Sequence, residues 1–479
     1  TQVHPLWERS QMFHRGRAHV AVPSHQSPQK GSTMMIRKRR GTLAAASALT
    51  AAALAVASCG SGGTSEQSGA SASSSDSGPI TIRLQTFGGG SNFGYKNAVD
   101  KWNAEHKDIQ IQYENLTDQF EQQYWPQMIQ WLQAGSGAGD VVGIDEGGMG
   151  LAKARPEWWA DLKEYGLESR KADYPAWKWE NGVAADGKLF ALGTDVGGMS
   201  LCYRKDLFEK AGLPSDRDEV SALWPTWDDY LKVGEKFQSK VKDTKWADGT
   251  NTLYQVVLYQ EAEKNGGVSY FDKDNNLIVD KNPAVKTAFD FATKLSQQGL
   301  TAKLRNFTEE WATGTQKGAF ATLGCPSWML GVVSDNAGED AKGKWDVAAV
   351  PGGGGNWGGS WLAVPKQSKH PKEAAMVADY LTQAETQASV FKDFGNMPSN
   401  TKAQQDPAVQ GAKNEFFNDA PVGEIFAKSA SSLQPVFLGV KHAQVKNAIE
   451  SVIQGVDDGS VPYDKAWQQL VDDAVKAAG

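Results

Sequence analysis

The side chains of this sequence that could do chemistry are adjacent carboxylates, amides and an ample supply of indoles. The 479-residue chain has 17 Trp, and aromatic residues make up 10% of it. That combination suits a pyranose, which presents apolar C–H faces and a rim of hydroxyls. Aromatic planes bury the faces, while carboxylates and amides hold the rim by hydrogen bonds. Asn92 and Phe93 come after the first alternating apolar run, and Asp145 and Glu146 follow the apolar run 141–144. Loops at the carboxyl ends of strands are where open α/β sheets bind ligands. Catalysis finds less support. Glycoside hydrolysis needs two carboxylates on opposite sides of the bond, and neighbours on one loop cannot be placed so without strain. His106, His370 and His442 are scattered, with no H-x-H or H-E-x-x-H spacing for a metal. A G-x-S-x-G nucleophile elbow is absent, because Gly358-Gly359-Ser360 continues with Trp361-Leu362. No cofactor is expected either. The turn holding Gly88, Gly90 and Gly94 departs from G-x-G-x-x-G, since Phe93 takes the third glycine's place.

The elements that must carry these groups alternate in type. Ile80, Ile82 and Leu84 repeat every second residue, as in a half-buried strand, and Ala98, Val99 and Trp102 then share a helical face. A second alternating run holds Ile109, Ile111 and Tyr113. A helical stretch with Phe120, Tyr124, Met128, Trp131 and Leu132 stops at Gly135, before the apolar run 141–144. Strands alternating with helices predict βαβ units and a mostly parallel sheet.

The N-terminal region reads differently. Residues 1–33 lack periodicity and hold four of the seven His, and they are expected to be a non-native extension. Residues 34–58 resemble a bacterial lipoprotein signal. Arg37-Lys38-Arg39-Arg40 precede an apolar stretch from Leu43 to Val56, and Val56-Ala57-Ser58 lead into Cys59. The stretch is shorter than the roughly 20 apolar residues of a spanning helix. Lipidated Cys59 would be the mature N-terminus, anchored to the membrane by several acyl chains. Residues 59–79, rich in Gly and Ser, would form a tether with a reach of roughly 25 Å. The first 58 residues carry eight of the 49 basic side chains and one of the 56 acidic ones, so the remainder has a net charge of −14. That balance argues against nucleic acid, which asks for a basic footprint. The 421 residues that remain suffice for two lobes. Cys202 and Cys325 could pair in an oxidising compartment or stay as two buried thiols; composition leaves both open.

The stretch from Leu189 to Leu213, with Gly193-Thr194-Asp195 and Tyr203-Arg204-Lys205-Asp206-Leu207-Phe208, resembles a known signature. It is similar to that of extracellular solute-binding proteins of sugar ABC transporters, the maltose-binding-protein-like family. Supporting segments are Gly139-Asp140-Val141-Val142, Gly318-Ala319-Phe320 before Pro326-Ser327-Trp328, and Gly358-Gly359-Ser360-Trp361 running on to Pro365-Lys366. The resemblance runs from about Ile80 to the C-terminus. Cys202 is a departure, since the pattern has an apolar residue there.

The resemblance implies an α/β, two-lobe periplasmic-binding-protein-like fold of type II, with mixed, mostly parallel sheets and hinge crossings that close over a sugar. Lobe 1 would take residues 80–194 and 362–396, and lobe 2 residues 195–361 and 397–479. It implies a monomer without catalysis that delivers a carbohydrate to ABC transporter permease subunits at the extracellular or periplasmic face of the membrane. The number of aromatic platforms points to an oligosaccharide. The alternatives are a lipid-anchored glycoside-active enzyme and the same fold holding a non-sugar solute. On this mapping Thr194 and Asp195 stand at the first crossing, Trp328 follows a second-lobe strand, and Trp357, Ser360 and Trp361 flank the second crossing. Asp195 is expected to find its neutralising partners in ligand hydroxyls. Each residue also has a purely structural role open to it: Trp328 in the core, Phe93 covering a strand end, Asp145 and Glu146 capping a helix. Trp158, Trp159, Trp177 and Trp179 are expected to pack lobe 1, and Tyr254 and Tyr259 suit core or contact equally. Both Cys202 and Cys325 fall on second-lobe strands by this mapping, which favours a disulfide.

Overall fold

The computed structural model describes residues 78–88 and 93–479. The expected signal, Cys59, the tether and Asn92 lie outside the described residues. The alternating run forms β1 (Ile80–Thr86), whose Ile82 and Leu84 are fully buried. It pairs in parallel with β2 (Ile109–Asn115) and β3 (Val141–Asp145). With β4 (Ala191–Gly193) and β9 (Ser360–Ala363) they make a five-stranded sheet in the order β2-β1-β3-β9-β4. The second sheet has β5 (Leu201–Arg204), β6 (Lys245–Ala247), β7 (Phe320–Gly324) and β8 (Trp345–Ala348) in the order β6-β7-β5-β8. The fold is α/β with two mixed sheets.

One strand in each sheet runs against its neighbours: β9 lies antiparallel to β3 and β4, and β5 to β7 and β8. Both are the strands by which the chain enters a sheet directly from the other one. A chain passing straight across needs no helical crossover, and a reversed strand is the geometry that follows. The crossings lie side by side. Asp195 bridges to Pro398 and Gly198 to Asn356. Val196 N–H donates to the Met397 carbonyl and Trp357 N–H to the Gly197 carbonyl, each at 2.9 Å. A Cβ on Gly197 would stand 2.0 Å from the Trp357 carbonyl oxygen, so only glycine allows this approach.

The first sheet is packed by Val141, Trp159, Leu192 and Trp361, among others. The second sheet separates two further apolar clusters. Leu201 and Tyr203 of β5 point into one, and Cys202 between them points into the other, the period-two alternation of a strand buried on both faces. Cys202 is joined there to Cys325, just beyond β7, with a Cα separation of 5.4 Å. Tyr254 and Tyr259 belong to the helix Asn251–Lys264, which is buried on nearly every side and so runs through the core. Trp158, Trp159 and Trp179 pack the first sheet. Trp177 packs against two of the clusters. Among the described residues no helix is long and apolar enough to cross a membrane.

The crossings make Gly197 a sensitive position. Gly197→Ala would push a methyl group into a backbone carbonyl that cannot swing aside, and a loss of about 1–3 kcal/mol is expected. Urea unfolding of the variant beside the wild type measures it; equal midpoints would mean that the crossings are not packed this closely.

Candidate functional site

The carboxyl ends of β1 and β3 and the crossings converge on one cavity of about 110 Å3. At roughly 10–15 Å3 per water-sized sphere that is room for several waters, the scale of a polar ligand rather than of one buried water. One wall is aromatic. Trp328 and Trp357 meet edge to face with centroids 5.0 Å apart, and Phe307 lies 6.1 Å from Trp328. Trp328 Nε1 donates to the Trp357 carbonyl at 3.1 Å, which fixes the indole plane. Trp328 is also part of the second sheet's apolar packing, so one face of its role is core.

The facing wall is polar. Asp145 ends β3 and caps the helix Glu146–Lys153, its Oδ1 accepting from Gly147 N–H at 2.9 Å. It caps and it lines the cavity, so the two roles anticipated for it coexist. Asp195 Oδ1 accepts from Thr194 Oγ1 at 2.6 Å and from Ser360 N–H at 2.9 Å. Beside the ligand hydroxyls expected to satisfy Asp195, the chain supplies two donors of its own. Phe93 and Ser360 line the same cavity, and Phe93 packs edge-on against Phe87 at 5.0 Å.

Three anticipated residues stand elsewhere. Trp361 is in the first-sheet core, 1% exposed, with Nε1 donating to the Lys178 carbonyl at 3.1 Å. The reason is register. β9 starts at Ser360, so Ser360 faces the cavity and its successor faces the core. β9 thus joins the first sheet from Ser360 on, two residues before the lobe boundary expected at residue 362. Thr194 is buried behind the cavity with its hydroxyl spent on Asp195. Glu146 is buried and accepts from Asn356 Nδ2 at 2.7 Å, outside the cavity lining.

Behind this wall lies an unforeseen cation. Lys178 is buried, and its Nζ sits 3.2 Å from the centroid of the Trp361 ring. Burial lowers its pKa to about 7, against the pull of Asp195, Glu146 and Asp145. Burial also raises Asp145 to about 7, helped by the charges of Glu121 and Asp195. Glu146 rises to about 8 through burial and the charge of Asp145, with Lys178 and Asn356 opposing. Burial thus outweighs the nearby cations at both carboxyls, Lys446 opposing the shift at Asp145 and Lys178 that at Glu146.

The cavity floor was also unforeseen. Lys446 pairs with Glu121 and, at 3.3 Å, with Glu450, whose other contact is Gln255 Nε2 at 3.0 Å. Burial works against the Lys446 charge, yet the two carboxylates hold its pKa above the ordinary value. Among the described residues no group of three or more His, Cys, Asp or Glu is placed to hold a metal.

The chain belongs to the bacterial extracellular solute-binding protein family, whose pattern matches residues 97–418. It is 27% identical to the arabinooligosaccharide-binding protein of Bacillus subtilis, over 63% of this chain and 69% of that protein. It is 23% identical to the lactose-binding protein of Rhizobium radiobacter, over 79% of this chain and 88% of that one. The crystal structure of an extracellular solute-binding protein of family 1 is 34% identical and superposes with a TM-score of 0.72, covering 84% of this chain and all of that one. An ABC transporter-associated binding protein of B. animalis subsp. lactis, in complex with β-1,6-galactobiose, shares the fold at 20% identity with a TM-score of 0.72, covering 84% and 98% of the two chains.

The raised pKa of Glu146 has a consequence for stability. Unfolded, the side chain titrates near the ordinary 4.5; folded, it titrates near 8. Between those values the folded chain binds the extra proton, so stability falls as pH rises through the window. Glu146→Gln cannot lose a proton there. The variant is expected to gain on the wild type from pH 5 to pH 8, by roughly 1–3 kcal/mol, and to level off above that. Urea unfolding at pH 5, 6.5, 8 and 9 reads it, and a pH-independent difference would refute the assignment.

Proposed function

We propose that this chain is the lipid-anchored sugar receptor of an ABC transporter, which captures an oligosaccharide outside the cytoplasm and hands it unchanged to the permease. The observation that carries this reading is the cavity itself, with an aromatic wall of Trp328, Trp357 and Phe307 set opposite Asp145, Asp195 and Ser360. Indole faces take up the C–H faces of a sugar ring and the acids take its hydroxyls. The names of the arabinooligosaccharide- and lactose-binding relatives support the same class. The bodies that close on the sugar are residues 80–194 with 360–396, and 195–359 with 397–479. The crossings between them are the hinge. Cys59, lipidated, holds the protein at the membrane, and the tether 59–79 lets it present its ligand to the permease.

One observation favours a second reading. Asp145 titrates near 7, as a general acid of a glycosidase would. Recovery of the sugar decides between the two, since a receptor returns it intact.

The test is a thermal-shift screen of residues 60–479 against mono- and oligosaccharides, amino acids, polyamines and metal ions. A ligand that binds only the folded chain raises the melting temperature. A rise with one glycan series is expected, and a response confined to another class would remove the sugar assignment. Two tryptophan variants separate site from core. Trp328→Ala should weaken sugar binding tenfold or more, about 1.4 kcal/mol. Trp361→Ala should instead cost about 3–5 kcal/mol of stability, as expected for a core indole.

A further inference from the structure

The cleft does not end at Phe307. A second cavity of about 330 Å3 also touches that residue and is further lined by Asp118, Thr308, Glu309, Asp335 and Asn336. Asp118 and Phe307 line both cavities, so the two are successive rooms of one cleft. Phe307 holds a backbone φ of 62°, in the left-handed region that a bulky residue rarely adopts. Such a conformation persists only where its surroundings impose it, and it concentrates at ligand-contacting positions. Here the surroundings are specific. The Phe307 ring lies 6.0 Å from Trp311, 6.1 Å from Trp328 and 6.2 Å from Trp357. Thr308, next in the chain, caps the helix Glu309–Lys317, its side chain accepting from Trp311 N–H at 3.2 Å. The aromatic ring is thereby fixed between two polar rooms.

The geometry points to a second sugar subsite beyond Phe307, and with it to an uncharged oligosaccharide of three or more units as the ligand. This rests on the sugar reading of the first cavity. A chain that stacks on Trp328 and Trp357 continues past the Phe307 face, and its next unit lies among Asp118, Thr308, Glu309 and Asn336. The described lining of the far room has three carboxylates and neither Lys nor Arg. Carboxylates accept hydrogen bonds from hydroxyls and repel other carboxylates, so a uronate is disfavoured at this far subsite.

Isothermal titration of the soluble chain with arabinan-derived and β-galacto-oligosaccharides of two, three and four units tests this, with oligogalacturonates of equal length as the acidic probe. Affinity is expected to rise at least tenfold from the disaccharide to the tetrasaccharide of the bound series, with oligogalacturonates at least tenfold weaker. Asn336→Trp, which fills the far room, should bring the ratio of tetrasaccharide to disaccharide affinity close to one. Equal affinity at every length in the wild type would overturn the subsite while leaving the sugar reading standing. A ratio that survives Asn336→Trp would overturn its placement in this cavity. Silence toward every sugar would overturn the sugar reading and the subsite together. Should Asn336→Trp not fold, the length series of the wild type still decides.

Discussion

Everything about the cleft depends on how the chain passes between its two sheets. The crossings are not three independent linkers; they are hydrogen-bonded to one another as a narrow ribbon, residues 195–198 lying between 356–357 and 397–398. Backbone groups leaving a sheet must find new partners or bear the cost of burial without them. Here each crossing satisfies the next. Asp195 adds a side-chain link, its carboxylate accepting from Ser360 N–H at the point where the chain re-enters the first sheet. The same residue lines the cavity. A group that holds the crossings together is therefore also a group a bound molecule would touch.

The polar wall is held by charge as much as by packing. Asp145 with Glu146, Lys178 and Asp195 come from three different stretches of chain and are nevertheless drawn into mutual electrostatic reach. An isolated buried ammonium would be costly. Lys178 offsets that by lying against the Trp361 face and near three acids. Trp361 thus serves the site without touching the cavity: it packs the core on one side and supports the cation on the other. The upward shifts of Asp145 and Glu146 follow from burial, which the neighbouring lysines oppose without cancelling.

How much of this was legible in the sequence depends on whether the signal is local. β1 and β2 announce themselves through period-two alternation, β3 through its continuous apolar run, and Asp145 through its place at a strand end. Ser360 and Trp361 both read as site residues because they flank a crossing. Neighbouring strand residues point opposite ways, however, so only one of the two can face the cavity and Trp361 goes to the core. Other parts had no local trace. Glu121 and Lys446 are 325 positions apart, and no spacing rule joins them. Lys178 sits between Trp177 and Trp179, and nothing in that triplet says that a lysine is to be buried. The left-handed backbone of Phe307 has no sequence signature, and two of the three rings around it, Trp328 and Trp357, come from distant segments.

On the proposed hinge motion, the cavity floor would not expose an unpaired cation. Glu121 packs with the first sheet, through its neighbour Phe120, and Lys446 lies on the helix His442–Asp458, whose apolar face packs with the second. Their ion pair joins the two bodies. Both groups are largely buried, so a pair broken without replacement would leave a desolvated cation. Glu450 removes that difficulty. It lies one helical turn from Lys446, pairs with it at 3.3 Å, and moves with it. Lys446 therefore keeps a partner in either arrangement, while Glu121, given up by Lys446, would face the opened cleft and water. The cost of separation is then confined to one solvated carboxylate, and the free energy of a bound ligand has only that modest difference to overcome in bringing the walls together.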